Sequence, residues 1–205
     1  MKVSETNKTA MAHDDNLLKR LGFLYEGTIP AENLISQGKA KRFLDMIVEN
    51  ATDNLKVEAL RVKERDFVAI AVANTLRNRL LVEAFSESSL QDGATNEELG
   101  EALVLSVQFG YHNTLGKLQG AVGAKPGVSD AAIDHIDMSD AAIGPEMVEL
   151  ISIAVSSVNG CKLCMKAHYD KFKKLEASED KLREAMRVAA TVVSLSRMVY
   201  DYGKI

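Results

Sequence analysis

The chain has 205 residues, of which 46% are hydrophobic and 26% charged, enough to bury a core as one large domain or two small lobes. A net charge of −4 without a basic stripe argues against a nucleic-acid partner, and no apolar run approaches the ~20 residues that cross a bilayer. The polar N-terminal stretch lacks the apolar segment of a signal peptide. Two cysteines in such a chain suggest a reducing compartment, the cytoplasm.

The pattern of apolar residues predicts an all-α fold, because they recur at helical spacing almost throughout and signals for β-hairpins are nearly absent. Pro145 suits the first turn of a helix, and Ser178 is a plausible N-cap with acidic residues after it. Helices are predicted, in chain order, near 15–25, 31–49, 53–77, 79–90, 96–122, 146–158, 161–175 and 179–201.

The two halves of the chain resemble each other at an offset of 83 residues. The segment 70–85 then lies on 153–168 with five identical residues, and the match continues without a gap at Leu99, Glu101 and Ala102. This register predicts a duplicated helical unit in which only the second copy contains cysteines.

The predicted organisation has four parts. Residues 1–50 form an N-terminal tail with accessory helices, and 51–123 the first helical repeat. The segment 124–145, rich in Gly, Pro, Ser and Asp, connects this repeat to the second, 146–205.

Both cysteines and one histidine lie close together in the second repeat. Cys161, Cys164 and His168 share the i, i+3, i+7 spacing of one helical face. Gly160 precedes Cys161 and would leave it at a helix N-terminus, where free N–H groups and the helix dipole favour a thiolate. A thiolate attacks disulfides and peroxides, and a second thiol three residues away can resolve the product.

Other interpretations of the cysteine pair remain open at this point. A zinc site needs four ligands, so Glu149 or His112 would have to complete it. A structural disulfide across so short a loop would constrain the unfolded chain little, and two ordinary core cysteines are a further alternative. A redox pair is favoured, with Glu149 as a group that could orient His168 or relay a proton.

The residues from Glu149 to His168 fit the pattern E-L-x-S-x-A-V-S-x-x-N-G-C-x-x-C-x-x-A-H. This resembles the active-site signature of the alkylhydroperoxidase D family, within the carboxymuconolactone decarboxylase superfamily. The likeness is strong over 145–200 and weaker over 55–120, where a helix containing "GYHNTLGKLQG" resembles one of the family.

The resemblance implies an all-α fold of two related lobes, assembled as a homo-trimer or hexamer. It implies that peroxides, or the disulfide of a partner peroxiredoxin, are reduced with electrons from a dithiol such as protein-bound dihydrolipoamide. No bound cofactor and no metal are implied. By position, Cys164 attacks peroxide, Cys161 resolves it, and Glu149 and His168 form the proton relay.

Two points complicate the roles that the resemblance implies for the cysteines and the relay. The helix N-terminus favours Cys161 as the better thiolate, whereas the imidazole of His168, one turn away, favours Cys164, and here the family pattern is followed. Leu163 stands where the family places a second histidine, so the relay would run through His168 alone, or the substrate would differ. The alternative functions are a carboxymuconolactone decarboxylase-like enzyme and a non-enzymatic redox-sensing oligomer.

Overall fold

The computed structural model describes residues 38–123, 138 and 140–198 and is helical, with no β-strand in those ranges. This confirms the predicted all-α class. The described helices are α1 (Gly38–Asn54), α2 (Val62–Thr75), α3 (Arg79–Gln91), α4 (Asn96–Val122), α5 (Pro145–Val158), α6 (Lys162–Lys174) and α7 (Glu179–Met198). No helix within these ranges is both long and apolar enough to cross a membrane.

Helices α2 and α5 form the centre of the fold. Both are buried on nearly every side: in α2 the run 67–73 is at most 1% exposed, and most of α5 from Met147 to Ser156 is buried. The two helices contact each other, α3 and α6 pack against one of them each, and α4 and α7 contact both. A helix that is apolar on all sides is stable only when other elements cover it. The other helices therefore pack around this central pair.

Most predicted helices are present, but the boundary between the second and third is wrong. Residues 55–61 were expected to be helical and instead form the connection between α1 and α2. This segment is held out of the helix by a side chain distant in the sequence. The Glu184 carboxylate accepts hydrogen bonds from the backbone N–H groups of residues 58–60, at 2.9–3.1 Å. No Gly or Pro marks this break in the sequence, so local signals could not reveal it. The predicted helix 15–25 lies outside the described residues.

A second glutamate, Glu101, binds backbone N–H groups just before α5, the central helix of the second half of the chain. Glu101 accepts hydrogen bonds from the backbone N–H groups of Ala142 and Ile143, at 2.9 and 3.0 Å. Each of these three residues lies 83 positions from a counterpart in the Glu184 arrangement. Each half of the chain thus supplies a carboxylate that binds the backbone just before the central helix of the other half.

The helix bounds follow the same offset. α5, α6 and α7 each begin 83 residues after α2, α3 and α4, respectively. An ion pair recurs with reversed charges: Lys63 and Glu98 lie 2.8 Å apart, and Glu146 and Lys181 3.1 Å apart. These regularities favour duplication, while the superposition of 66–117 on 149–200 stays a prediction.

The start of α2 provides a test of stability against pH. Burial alone raises the pKa of Glu64, but hydrogen bonds from the Arg61 side chain and N–H, at 2.9 and 2.8 Å, and the charge of Lys181 outweigh it, so the pKa is lowered. A carboxyl whose pKa is lowered by folding binds protons more readily when unfolded. Its stabilisation is therefore present above the unfolded value, 4.5, and is lost as the pH falls through the folded pKa.

We expect Glu64→Gln to lower the free energy of unfolding at neutral pH by about 1.5–3 kcal/mol, the usual range for charged hydrogen bonds. The difference in the free energy of unfolding between the wild type and Glu64→Gln should become smaller as the pH falls below about 4.5. Urea unfolding at several pH values measures this, with Glu97→Gln, an exposed glutamate, as the control. A gap that stays constant down to acid pH would contradict the linkage.

Candidate functional site

The cysteines lie at the start of α6, directly after the turn that connects it to α5. The chain leaves α5 at Asn159, and Gly160 adopts a φ of +71°, a left-handed conformation that favours glycine. The N–H of Cys161 then donates to the Ser156 carbonyl at 3.0 Å, and Cys161 becomes the N-cap of α6. The sequence prediction of a cysteine at a helix N-terminus is confirmed.

Cys161 and Cys164 form a disulfide, with their Cα atoms 5.3 Å apart. The backbone N–H of Cys164 points to Cys161 Sγ at 3.3 Å, so this sulfur takes the capping position that a serine or aspartate oxygen often holds. Cys161 is only 1% exposed, whereas Cys164 is half-buried. A reactant arriving from solvent therefore meets Cys164 first.

Glu149 and His168 form a direct pair beside this disulfide. Glu149 Oε2 lies 2.7 Å from His168 Nδ1, and the two side chains are 12% and 15% exposed. The contact joins α5 to α6, which pack closely. It fixes the orientation of the ring and leaves Nε2 as the nitrogen with which the imidazole could serve another group.

The long helix α4 completes the site, which the spacing of the cysteine motif did not predict. The edge of Phe109 meets the His168 ring, with centroids 4.9 Å apart, and also contacts His112 at 5.9 Å. The carbonyl oxygen of His112 lies 3.9 Å from Cys164 Sγ. His112 thus reaches the disulfide through its main chain, and Phe109 packs against the ring that the Glu149 carboxylate holds.

A buried polar link ties α4 to α5 next to the cysteines. Ser156, whose carbonyl binds the N–H of Cys161, donates its hydroxyl to Asn113 Oδ1 at 2.9 Å. Asn113 is 1% exposed, and its Nδ2 is one of the buried side-chain atoms without a hydrogen-bond partner in the described part of the chain. This link holds the middle of α4 against the loop that carries Cys161.

The predicted relay is assembled only in part. Across the described ranges no hydrogen bond joins His168 to either sulfur, and the two sulfurs, bonded to each other, have no proton to give to the ring. Leu163, between the cysteines, is 56% exposed and contributes no proton-carrying group. The relay in the reduced protein therefore remains a prediction.

A metal site was one interpretation of the cysteine motif. The residues described here contain no group of three or more His, Cys, Asp and Glu side chains placed to hold a metal ion. With the two sulfurs bonded to each other, the chemistry that this arrangement can perform is thiol–disulfide exchange.

The chain is similar in sequence to one protein family and to several named proteins. The family model described as "Carboxymuconolactone decarboxylase family" matches residues 130–200. A protein of Koribacter versatilis named "Alkyl hydroperoxide reductase AhpD" is 33% identical over 136 residues, 64% of this chain and 68% of that protein. A protein of the same name from an Anaeromyxobacter species is 29% identical over 152 residues, 72% of this chain and 79% of its own length.

A solved structure shares the fold. It is described as a gamma-carboxymuconolactone decarboxylase subunit from Burkholderia xenovorans, with a TM-score of 0.65 and 19% identity, and the alignment covers 90% of this chain and 92% of that one. The partial match to the carboxymuconolactone decarboxylase family model and the shared fold agree with the cysteine pair and the Glu149–His168 pair described above. The 33% identity to the AhpD protein of Koribacter versatilis, over 68% of that protein's length, shows that the chain belongs to the alkylhydroperoxidase D family.

Proposed function

We propose that the protein is a thiol-dependent antioxidant oxidoreductase that reduces peroxides, or the disulfide of a partner peroxiredoxin, with its cysteine pair. One observation carries the proposal: the Cys161–Cys164 disulfide lies at a helix N-terminus next to a Glu149–His168 pair. The names of the AhpD relatives support the same class of reaction.

The difference in burial supports different roles for the two sulfurs. Cys164 is half-buried, so it can meet a substrate, whereas the 1% exposed Cys161 is suited to react only with its neighbour. In the reduced protein the Cys164 thiolate attacks the outer oxygen of ROOH, the O–O bond breaks, and ROH leaves after taking up a proton. The Cys161 thiol then attacks the Cys164 sulfenic acid, which gives the disulfide and water.

Reduction by a dithiol closes the cycle. One thiolate of the reductant attacks Cys164 Sγ, the S–S bond breaks, and its electron pair leaves on Cys161. The second thiol of the reductant displaces Cys164, so two electrons pass to the protein and the reductant becomes a disulfide. The Cys164 N–H, 3.3 Å from Cys161 Sγ, and the N-terminal end of α6 stabilise the negative charge that forms on the buried sulfur.

Glu149 and His168 would supply acid–base catalysis. His168 lies one helical turn after Cys164, so its ring could take the thiol proton once the disulfide opens. The Glu149 carboxylate at 2.7 Å stabilises the imidazolium that results. Leu163 adds no further proton carrier, so this relay is shorter than the family pattern.

The expected partners follow from family membership. The protein would be a homo-oligomer, a trimer or hexamer, that works in the cytoplasm. Its electron donor would be protein-bound dihydrolipoamide, and a peroxiredoxin could be its oxidised substrate. A carboxymuconolactone decarboxylase-like activity is the alternative, favoured by the description of the matching family model, but that reaction needs no disulfide.

A coupled assay tests the proposed function. The protein is supplied with NADH, dihydrolipoamide dehydrogenase, lipoamide and an organic hydroperoxide, and NADH oxidation is followed. We expect turnover that requires all components and is absent in Cys164→Ser. NADH consumption equal in the wild type and in Cys164→Ser would contradict the proposal, as would oxidation of both thiols by peroxide that stops after one equivalent despite the reductant.

A further inference from the structure

Gly116, in the middle of α4, packs directly against the disulfide. A Cβ atom built at this buried glycine would lie 2.6 Å from Cys164 Sγ and 2.8 Å from Cys161 Sγ. Real Cβ contacts are essentially never shorter than 3.0 Å, so the two sulfurs occupy the space that a side chain would fill. The backbone of α4 therefore covers one side of the S–S bond at van der Waals distance.

This contact distinguishes Gly116 from the other glycines of the same helix. Ideal Cβ atoms at Gly100, Gly110 and Gly120 meet nothing within 4 Å. Glycine in a helix interior costs about 1 kcal/mol relative to alanine, so each of these positions would accept alanine readily. At Gly116 alone the gain in helix propensity is opposed by a clash with both sulfurs.

We propose that Gly116 is a positioning residue for the redox step: its missing side chain makes room for the disulfide, so a methyl group there favours the dithiol over the disulfide. The proposal rests on the proposed function, since it assumes that the protein cycles between these two states. In the disulfide the sulfurs are bonded about 2.05 Å apart and cannot turn away independently. In the dithiol the two Sγ atoms are no longer joined, and the half-buried Cys164 has solvent into which its side chain can turn.

Gly116 would affect the thiol–disulfide equilibrium between the cysteine pair and a dithiol reductant. The protein disulfide and dithiothreitol exchange two electrons and two protons, giving the protein dithiol and the cyclic disulfide of dithiothreitol. Alanine at position 116 raises the free energy of the oxidised protein more than that of the reduced protein. The reduction potential of the pair should therefore become more positive.

The test compares Gly116→Ala with Gly120→Ala, one turn further along α4. Each protein is equilibrated with mixtures of reduced and oxidised dithiothreitol, quenched with acid, and the disulfide fraction is read by mass spectrometry. We expect Gly116→Ala to shift the equilibrium constant at least tenfold towards the dithiol, about 30 mV for a two-electron couple. Gly120→Ala should stay within about twofold of the wild type, because its Cβ meets nothing. An unchanged equilibrium in folded Gly116→Ala would overturn the proposal.

A second measurement covers the case in which Gly116→Ala folds poorly. Gly116→Ala is introduced into a background in which both cysteines are alanine, so the sulfurs that it would meet are gone. We expect its melting temperature there to equal or exceed that of the background, whereas in the oxidised protein the same change lowers it. A similar loss in both backgrounds would show that the sulfurs are not what the methyl group meets. Neither measurement uses peroxide, so a failure of the proposed peroxidase activity would be seen separately.

Discussion

Cys164→Ser is expected to abolish peroxide consumption. Cys164 is the more exposed partner of the disulfide and the cysteine one turn before His168, so its removal takes away the sulfur that reaches the substrate. Cys161 remains, but at 1% exposure it is shielded from a hydroperoxide. Peroxide loss measured under saturating dithiol should fall to the rate of the reductant alone.

Cys161→Ser is the matched control, and a different outcome is expected. Cys164 can still attack one molecule of peroxide, but no neighbouring thiol resolves the sulfenic acid. A single equivalent of peroxide should be consumed rapidly, after which turnover depends on whatever external thiol reaches Cys164. If Cys161→Ser turned over as fast as the wild type with a lipoyl reductant, Cys161 would not be the resolving cysteine.

Glu149→Gln and His168→Gln should each slow the reaction of the reduced protein with peroxide by ~100- to 10,000-fold, the range for loss of a positioned acid–base group. Glutamine in place of Glu149 keeps the shape of the side chain but removes the charge that faces His168 Nδ1 at 2.7 Å. Glutamine in place of His168 removes the proton acceptor itself. Rapid-mixing kinetics across a pH series would measure both effects.

Glu146→Gln is the control for the charge change, because it makes the same substitution three residues earlier in α5. Glu146 pairs with Lys181 at 3.1 Å, not with the histidine. Its rate should match the wild type, and all three variants should keep their helical content. A Glu149→Gln protein as fast as Glu146→Gln would show that the carboxylate does not act in the relay.

The sequence predicted this fold well where the signals are local. Pro145 opens α5, Gly160 turns the chain, and Cys161 caps α6, each because its conformational preference acts within a few residues. The Glu149–His168 contact was expected from the resemblance to the family signature, because the spacing of these two residues alone indicated it only weakly. The connection at 55–61 was missed because Glu184, far along the chain, shapes it.

The contribution of α4 to the site could not be predicted in the same way. Phe109 and Gly116 are more than forty residues from the cysteines, and they reach the disulfide only through helix packing. Gly116 is one of four glycines in a helix of 27 residues, and nothing in the sequence separates it from the other three. Only the position of the two sulfurs makes it special.

The assignment of the two sulfurs is tested most directly by locating the first oxidation product. Cys161→Ser and Cys164→Ser are each reduced, exposed briefly to one equivalent of peroxide, trapped with a sulfenic-acid reagent and digested for mass spectrometry. We predict the adduct of the trapping reagent on Cys164 when Cys161 is absent, and little or none on Cys161 when Cys164 is absent. The reverse distribution would make Cys161, at the helix N-terminus, the attacking thiol and would contradict the relay through Glu149 and His168.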